Sequence, residues 1–240
     1  MKLALIAVIS CLALSVKSAS YVKAIGAPNS PSYDYTPLPY TMYNNFPVID
    51  VLSFDLVCRT PDMSATTKPF STAAGSTIRV VWETLELSPY SKLKPYGPCS
   101  FWLAPYSSKG EGKVWSKIQE ITIEETSKGP AWCSAFIQEL GYRDVVIPKG
   151  IAPGKYYLRS EVIDLDGARG KSYYQDYTSG ARYHVNCNLI EITGKGTASL
   201  KSPVSILEAY QEFHRKPLFP STMKNGDLKM PGGPSPYAKK

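Results

Sequence analysis

Histidine is nearly absent from this 240-residue chain, which has two, His184 and His214. A zinc centre built from several imidazoles is thereby excluded, and a Ser-His-Asp triad would have to use one of these two as its base. No G-x-S-x-G elbow supplies a nucleophile for such a triad. A Gly-rich phosphate loop and a dinucleotide fingerprint are missing as well. Beyond the first twenty residues, no apolar run is long enough to cross a membrane. Runs of Ala, Leu, Glu and Lys of helical length are also missing, apart from the short stretch 206–213. With 20 Pro and 17 Gly, a helix bundle is not expected.

What is present begins with a secretion signal. Lys2 is a short basic start, and residues 3–16 form an apolar run of signal-peptide length. Val16 and Ser18 at the −3 and −1 positions put the mature start at Ala19; Ser18 and Ser20 would put it at Tyr21. The expected organisation is a signal peptide over 1–18, one domain over 19–219 and a flexible, basic, Pro/Gly-rich tail over 220–240. Residues 1–18 hold Lys2, Lys17 and Cys11, so the remainder keeps 25 basic against 20 acidic residues and four Cys. An even Cys count in a secreted chain reads as two disulfides and leaves no thiol nucleophile. The excess charge is scattered in short runs, which reads as a solvated mixed surface rather than a nucleic-acid footprint.

The pattern is that of an all-β protein. Residues 154–165 alternate Tyr156, Leu158, Ser160 and Val162 against Tyr157, Arg159, Glu161 and Ile163, and 182–193 alternates in the same way. Both predict long strands. Shorter strands are expected near 21–25, 76–82, 97–103, 114–118 and 144–148, and the spacing with Gly/Pro turns describes a β-sandwich with long loops and little helix. Two loops are rich in tyrosine: Tyr33, Tyr35, Tyr40 and Tyr43 in one, and Tyr173, Tyr174 and Tyr177 in the other. Flat rings at one end of a sandwich would form a platform for the apolar faces of sugars. Asp164, Asp166 and Glu161 are formal candidates for paired-carboxylate chemistry, yet they read as ordinary strand and turn residues.

Several segments, in order, resemble one family. They are Ser53-Phe54-Asp55-Leu56-Val57-Cys58, Ala73-Ala74-Gly75-Ser76 with Val80-Val81-Trp82, and Gly97-Pro98 with Phe101-Trp102-Leu103-Ala104. Val114-Trp115-Ser116-Lys117-Ile118 and the stretch from Pro153-Gly154 to Arg159-Ser160-Glu161 continue the series. Gly180-Ala181-Arg182-Tyr183-His184-Val185-Asn186-Cys187 and Glu191-Ile192-Thr193-Gly194 complete it. Together, over about residues 50–218, they resemble the copper-dependent lytic polysaccharide monooxygenases of auxiliary activity family nine, fungal enzymes that oxidise cellulose. The resemblance implies an immunoglobulin-like β-sandwich. It also pairs Cys58 with Cys187, which leaves Cys99 for Cys133.

The family holds copper between an N-terminal histidine and a second histidine, with an axial tyrosine and a glutamine and a further histidine nearby. At the corresponding places this chain has no histidine near Ala19, Pro95 for the second histidine, His184 for the tyrosine, Arg182 for the glutamine and Asp166 for the outer histidine. The resemblance therefore implies a secreted relative without copper or another cofactor, a pseudoenzyme that binds polysaccharide or acts at a cell wall. A protein-interaction or virulence factor on the same scaffold is one alternative, and an enzyme rebuilt around His184 is another. In place of the metal, Arg182 is expected to pair with Asp166, with His184 beside them.

Overall fold

The two strongly alternating stretches become the two longest strands, and they pair with each other. A computed structural model describes residues 19–30, 47–59, 68–85, 93–168, 180–214 and 227–238. Strand β9 (Gly154–Asp164) and strand β10 (Arg182–Thr193) run antiparallel, with His184 opposite Val162 and Arg182 opposite Asp164. They form the centre of a five-stranded sheet with β2 (Phe70–Ala73), β4 (Cys99–Pro105) and β5 (Ser116–Ile121), in the order β2-β10-β9-β4-β5. Only β2 joins it in parallel. A three-stranded sheet of β1 (Ala19–Gly26), β3 (Thr77–Leu85) and β8 (Tyr142–Val146), in the order β1-β3-β8, completes an immunoglobulin-like sandwich. The strands β6 (Ile123–Thr126) and β7 (Gly129–Trp132) make a separate hairpin.

The period of two sorts the five-stranded sheet into two apolar faces. One packs Leu158, Val162, Phe101, Leu103, Ile190 and Ile192 against Val22, Ile25, Ile78, Val80 and Val145 of the other sheet. The outer face, with Trp102, Tyr157, Tyr183, Val185 and Leu189, is covered by helix α1 (Asp55–Cys58) and helix α3 (Ile206–His214). This explains why β9 is buried on both faces from Tyr156 to Asp164, although Arg159 and Glu161 suggest a wet side. Arg159 donates to the Val57 and Leu56 carbonyls at 2.9 Å each, satisfying the last turn of α1. It also meets Glu161 at 2.9 Å, with neither side chain exposed. Glu161 accepts further bonds from Ser100, at 2.8 Å, and from Tyr210 of α3. The charge pair thus fastens both helices to the sheet.

Both expected disulfides are present, Cys58–Cys187 and Cys99–Cys133, with Cα–Cα distances of 5.2 and 5.7 Å. Cys133 opens helix α2 (Cys133–Leu140), which sequence patterning did not anticipate. Its end is nonetheless marked, since Gly141 takes φ 76 and its N–H bonds back to the Ile137 carbonyl. The chain end also differs from expectation. Residues 227–238, read as part of a free tail, lie against the sandwich, with Leu228 and Met230 buried on the outer face. Gly232, at φ 72, comes so close to Trp102 that a Cβ would sit 2.8 Å from the indole. The buried Lys117 donates to the Gly233 carbonyl and accepts, through its own carbonyl, the Ser235 hydroxyl at 3.0 Å. Apolar side chains placed every second residue, Leu228 and Met230, outweigh the Pro/Gly composition here. Residues 1–18, 220–226 and 239–240 lie outside the described residues.

Candidate functional site

The end of β9 and the start of β10 carry the positions singled out by the sequence. Segment 93–98 lies along this end of β9: Ile163 N–H donates to the Pro98 carbonyl at 3.0 Å and Leu165 N–H to the Tyr96 carbonyl at 2.9 Å. Such an approach requires glycine between them, because a Cβ on Gly97 would stand 1.7 Å from the Ile163 carbonyl oxygen. The exposed Pro95 is therefore fixed beside the turn that contains Asp166. The Asp166 N–H donates to Asp164 Oδ1 at 2.9 Å and so turns the chain away from the sheet. Across the ladder stand Arg182 and, two residues on and on the same face, His184.

His184 is wholly buried, and neither ring nitrogen has a hydrogen-bond partner among the described residues. Burial, followed by the neighbouring guanidinium groups of Arg59 and Arg182, depresses its pKa to about 3, so the ring is neutral. Ser160 and Asn186, opposite each other on the same face, add an unpartnered hydroxyl and an unpartnered amide nitrogen. Arg59 follows α1 in a left-handed conformation, φ 56, and is tethered to β10 by the adjacent Cys58–Cys187 bond.

Arg182 does not form the expected pair with Asp166. It is half-buried and makes no hydrogen bond or ion pair among the described residues. The carboxyl that feels its charge is Asp164, directly opposite on β9. Asp164 is 2% exposed, and burial raises its pKa to about 6 against the opposing effects of the Asp166 N–H and Arg182. The register explains the difference: the antiparallel ladder pairs residue 182 with 164, whereas Asp166 has already left the strand. Glu161 is not at this site, because its side chain points to the opposite face of the sheet, into the Arg159 network.

The two tyrosine loops, with Tyr33, Tyr35, Tyr40, Tyr43, Tyr173, Tyr174 and Tyr177, lie outside the described residues. Sequence reading passed over a ring that is on view. Val48 bridges to Tyr183 beside the start of β10, and the turn that follows exposes Leu52 and Phe54, the latter 78% accessible. No pattern in Ser53-Phe54-Asp55-Leu56-Val57-Cys58 marks that ring as exposed. Lys94 and Arg59 were likewise passed over, since single basic residues carry no pattern.

Among the described residues no three His, Cys, Asp or Glu side chains gather as a metal site. The one imidazole in this region lies in the field of two guanidinium groups, an arrangement that repels a cation.

Comparison with known proteins gives a consistent result. The model of Auxiliary Activity family 9 (formerly GH61) matches residues 12–225. A protein of Malbranchea cinnamomea described as AA9 family lytic polysaccharide monooxygenase H is 30% identical over 185 residues, covering 74% of this chain and 73% of that protein. The AA9 family lytic polysaccharide monooxygenase A of Aspergillus clavatus is 29% identical over 172 residues, covering 70% of this chain and 45% of its own length. The chain thus spans less than half of that longer relative. Among solved structures, CvAA9A superposes with a TM-score of 0.67 at 21% identity, covering 92% of this chain and 96% of that one. Cel61B of Hypocrea jecorina gives 0.65 at 21% identity, covering 90% and 99%. These two likenesses establish the shared fold.

Proposed function

The chain belongs to Auxiliary Activity family 9, a family that acts on polysaccharides, and from that premise we propose that it is a secreted, non-catalytic member that binds polysaccharide outside the cell. The reading is supported by the chemistry of the residues that the family resemblance puts at the positions of the copper brace, which do not fit copper. Pro95 has no donor nitrogen, and Arg182 cannot give up its proton to a metal. His184 is one imidazole in a cationic field, where a copper brace needs several neutral nitrogens around an open position. The scaffold segments of the family are retained around this altered centre, which supports a role in binding rather than oxidation.

Binding calls for flat rings and hydrogen-bonding groups on one surface. Phe54 is such a ring among the described residues, and the tyrosine loops are the proposed remainder of the platform. The test is a pull-down of the processed protein on insoluble polysaccharides, with and without a copper chelator. Retention that is indifferent to the chelator supports the reading. Retention that requires copper, or no retention on any polysaccharide, would count against it.

A further inference from the structure

We propose that the cationic end of the sandwich around Arg182 recognises carboxylates, so that the polysaccharide bound by this chain is an acidic one bearing uronate groups. The inference rests on the polysaccharide-binding reading and gives it a substrate class. Arg182 is half-buried at the start of β10 and makes no hydrogen bond or ion pair among the described residues. Lys94, from segment 93–98, is also half-buried and has no ion pair among the described residues. Behind Arg182, on the same face of β10, the fully buried His184 presents two unpartnered ring nitrogens. A neutral imidazole still has one N–H to donate, and a buried donor left unpaired is expensive. Arg59 adds positive field from the end of α1 while engaged in contacts of its own.

A guanidinium with free N–H groups matches a carboxylate through two parallel hydrogen bonds, a geometry that neutral hydroxyls do not reproduce. The opposing charges are Asp164 and Asp166. Asp166 stands on the turn and gives its backbone N–H to Asp164. Asp164 is buried against Arg182 and has its pKa raised to about 6, first by burial. Below that pH it is neutral, and the charge of Arg182 is left for a ligand. A uronate remains ionised at pH 5, so mild acid strengthens the match.

The experiment uses the processed protein at fixed ionic strength and measures affinity for three probes: polygalacturonate, the same polymer fully methyl-esterified, and cellohexaose. The acid form is expected to bind at least about tenfold more tightly than the ester, the equivalent of one charge-assisted hydrogen bond. Binding of the acid form should tighten from pH 7 to pH 5. Arg182→Gln should lose about the same factor on polygalacturonate and clearly less on the ester, and Arg182→Lys should keep part of it. Equal affinity for acid and ester overturns the proposal, as does an Arg182→Gln variant of unchanged melting temperature and unchanged affinity. If Arg182→Gln does not fold, the acid-against-ester comparison on the natural protein decides. Binding of cellohexaose without polygalacturonate refutes the carboxylate site and leaves the polysaccharide reading standing. Binding of none of the three refutes both.

Discussion

Replacing His184 with leucine should change how stability depends on pH more than how the protein folds. The imidazole has its pKa depressed to about 3, from 6.5, by burial and then by Arg59 and Arg182. A folded-state pKa below the unfolded one stabilises the fold above the unfolded value, and this contribution is lost as pH falls towards the folded value. The window is therefore pH 6.5 down to about 3. Each unit within it removes about 1.4 kcal/mol, because the unfolded chain takes a proton that the folded chain refuses. At pH 5 the loss amounts to about 2 kcal/mol. Asp164 works in the opposite direction: its raised carboxyl contributes stability that grows as pH falls through about 6 towards 3.8. The natural protein should consequently show a flattened profile between these values. His184→Leu exposes the Asp164 limb alone. It also removes two unpartnered buried nitrogens, worth about 1–3 kcal/mol at neutral pH. Urea unfolding at pH 7 and pH 5 measures both effects. The advantage of the variant over the natural protein should grow by about 2 kcal/mol between the two. Parallel profiles would refute the reasoning and mean that His184 protonates freely in the fold.

Three further substitutions probe the same frame by unfolding measurements. Asp164→Asn should stabilise the protein by about 3 kcal/mol at pH 7, the equivalent of its raised pKa, with the gain vanishing below pH 4; a gain independent of pH would contradict that assignment. Arg159→Met leaves Glu161 buried without its cation and should cost about 3–5 kcal/mol, whereas a loss below 1 kcal/mol would show the pair to be dispensable. Gly97→Ala drives a Cβ into the Ile163 carbonyl and should cost about 3 kcal/mol with disruption of the Pro95 segment; an unchanged midpoint would show that the segment yields easily.

The strands of this fold were legible because their chemistry is periodic. The alternation across 154–165 and 182–193 became β9 and β10 in register. The failures have definite physical causes. Arg159 and Glu161 look like a solvent face, and only the packing of α1 and α3 reveals that they neutralise each other inside. Helix α2 was missed because eight residues from Cys133 to Leu140 offer barely two turns of pattern, though Gly141 marked its end. At the candidate site, sequence brought Pro95, Asp166, Arg182 and His184 to notice through the family resemblance. It chose Asp166 as the partner of Arg182, because ladder register is a property of two strands and cannot be read from one. Lys94 and Arg59 belong to this end of the sandwich by backbone geometry alone.

The central claim is that this scaffold binds polysaccharide without running the family's oxidation. The direct measurement is mass spectrometry of soluble products after the protein, its N-terminus verified by sequencing, is incubated with Cu(II), a reductant and cellulose or chitin. The account predicts no oxidised oligosaccharides above a protein-free control. Oxidised oligosaccharides that disappear in the His184→Ala variant would contradict it and place a working metal at His184.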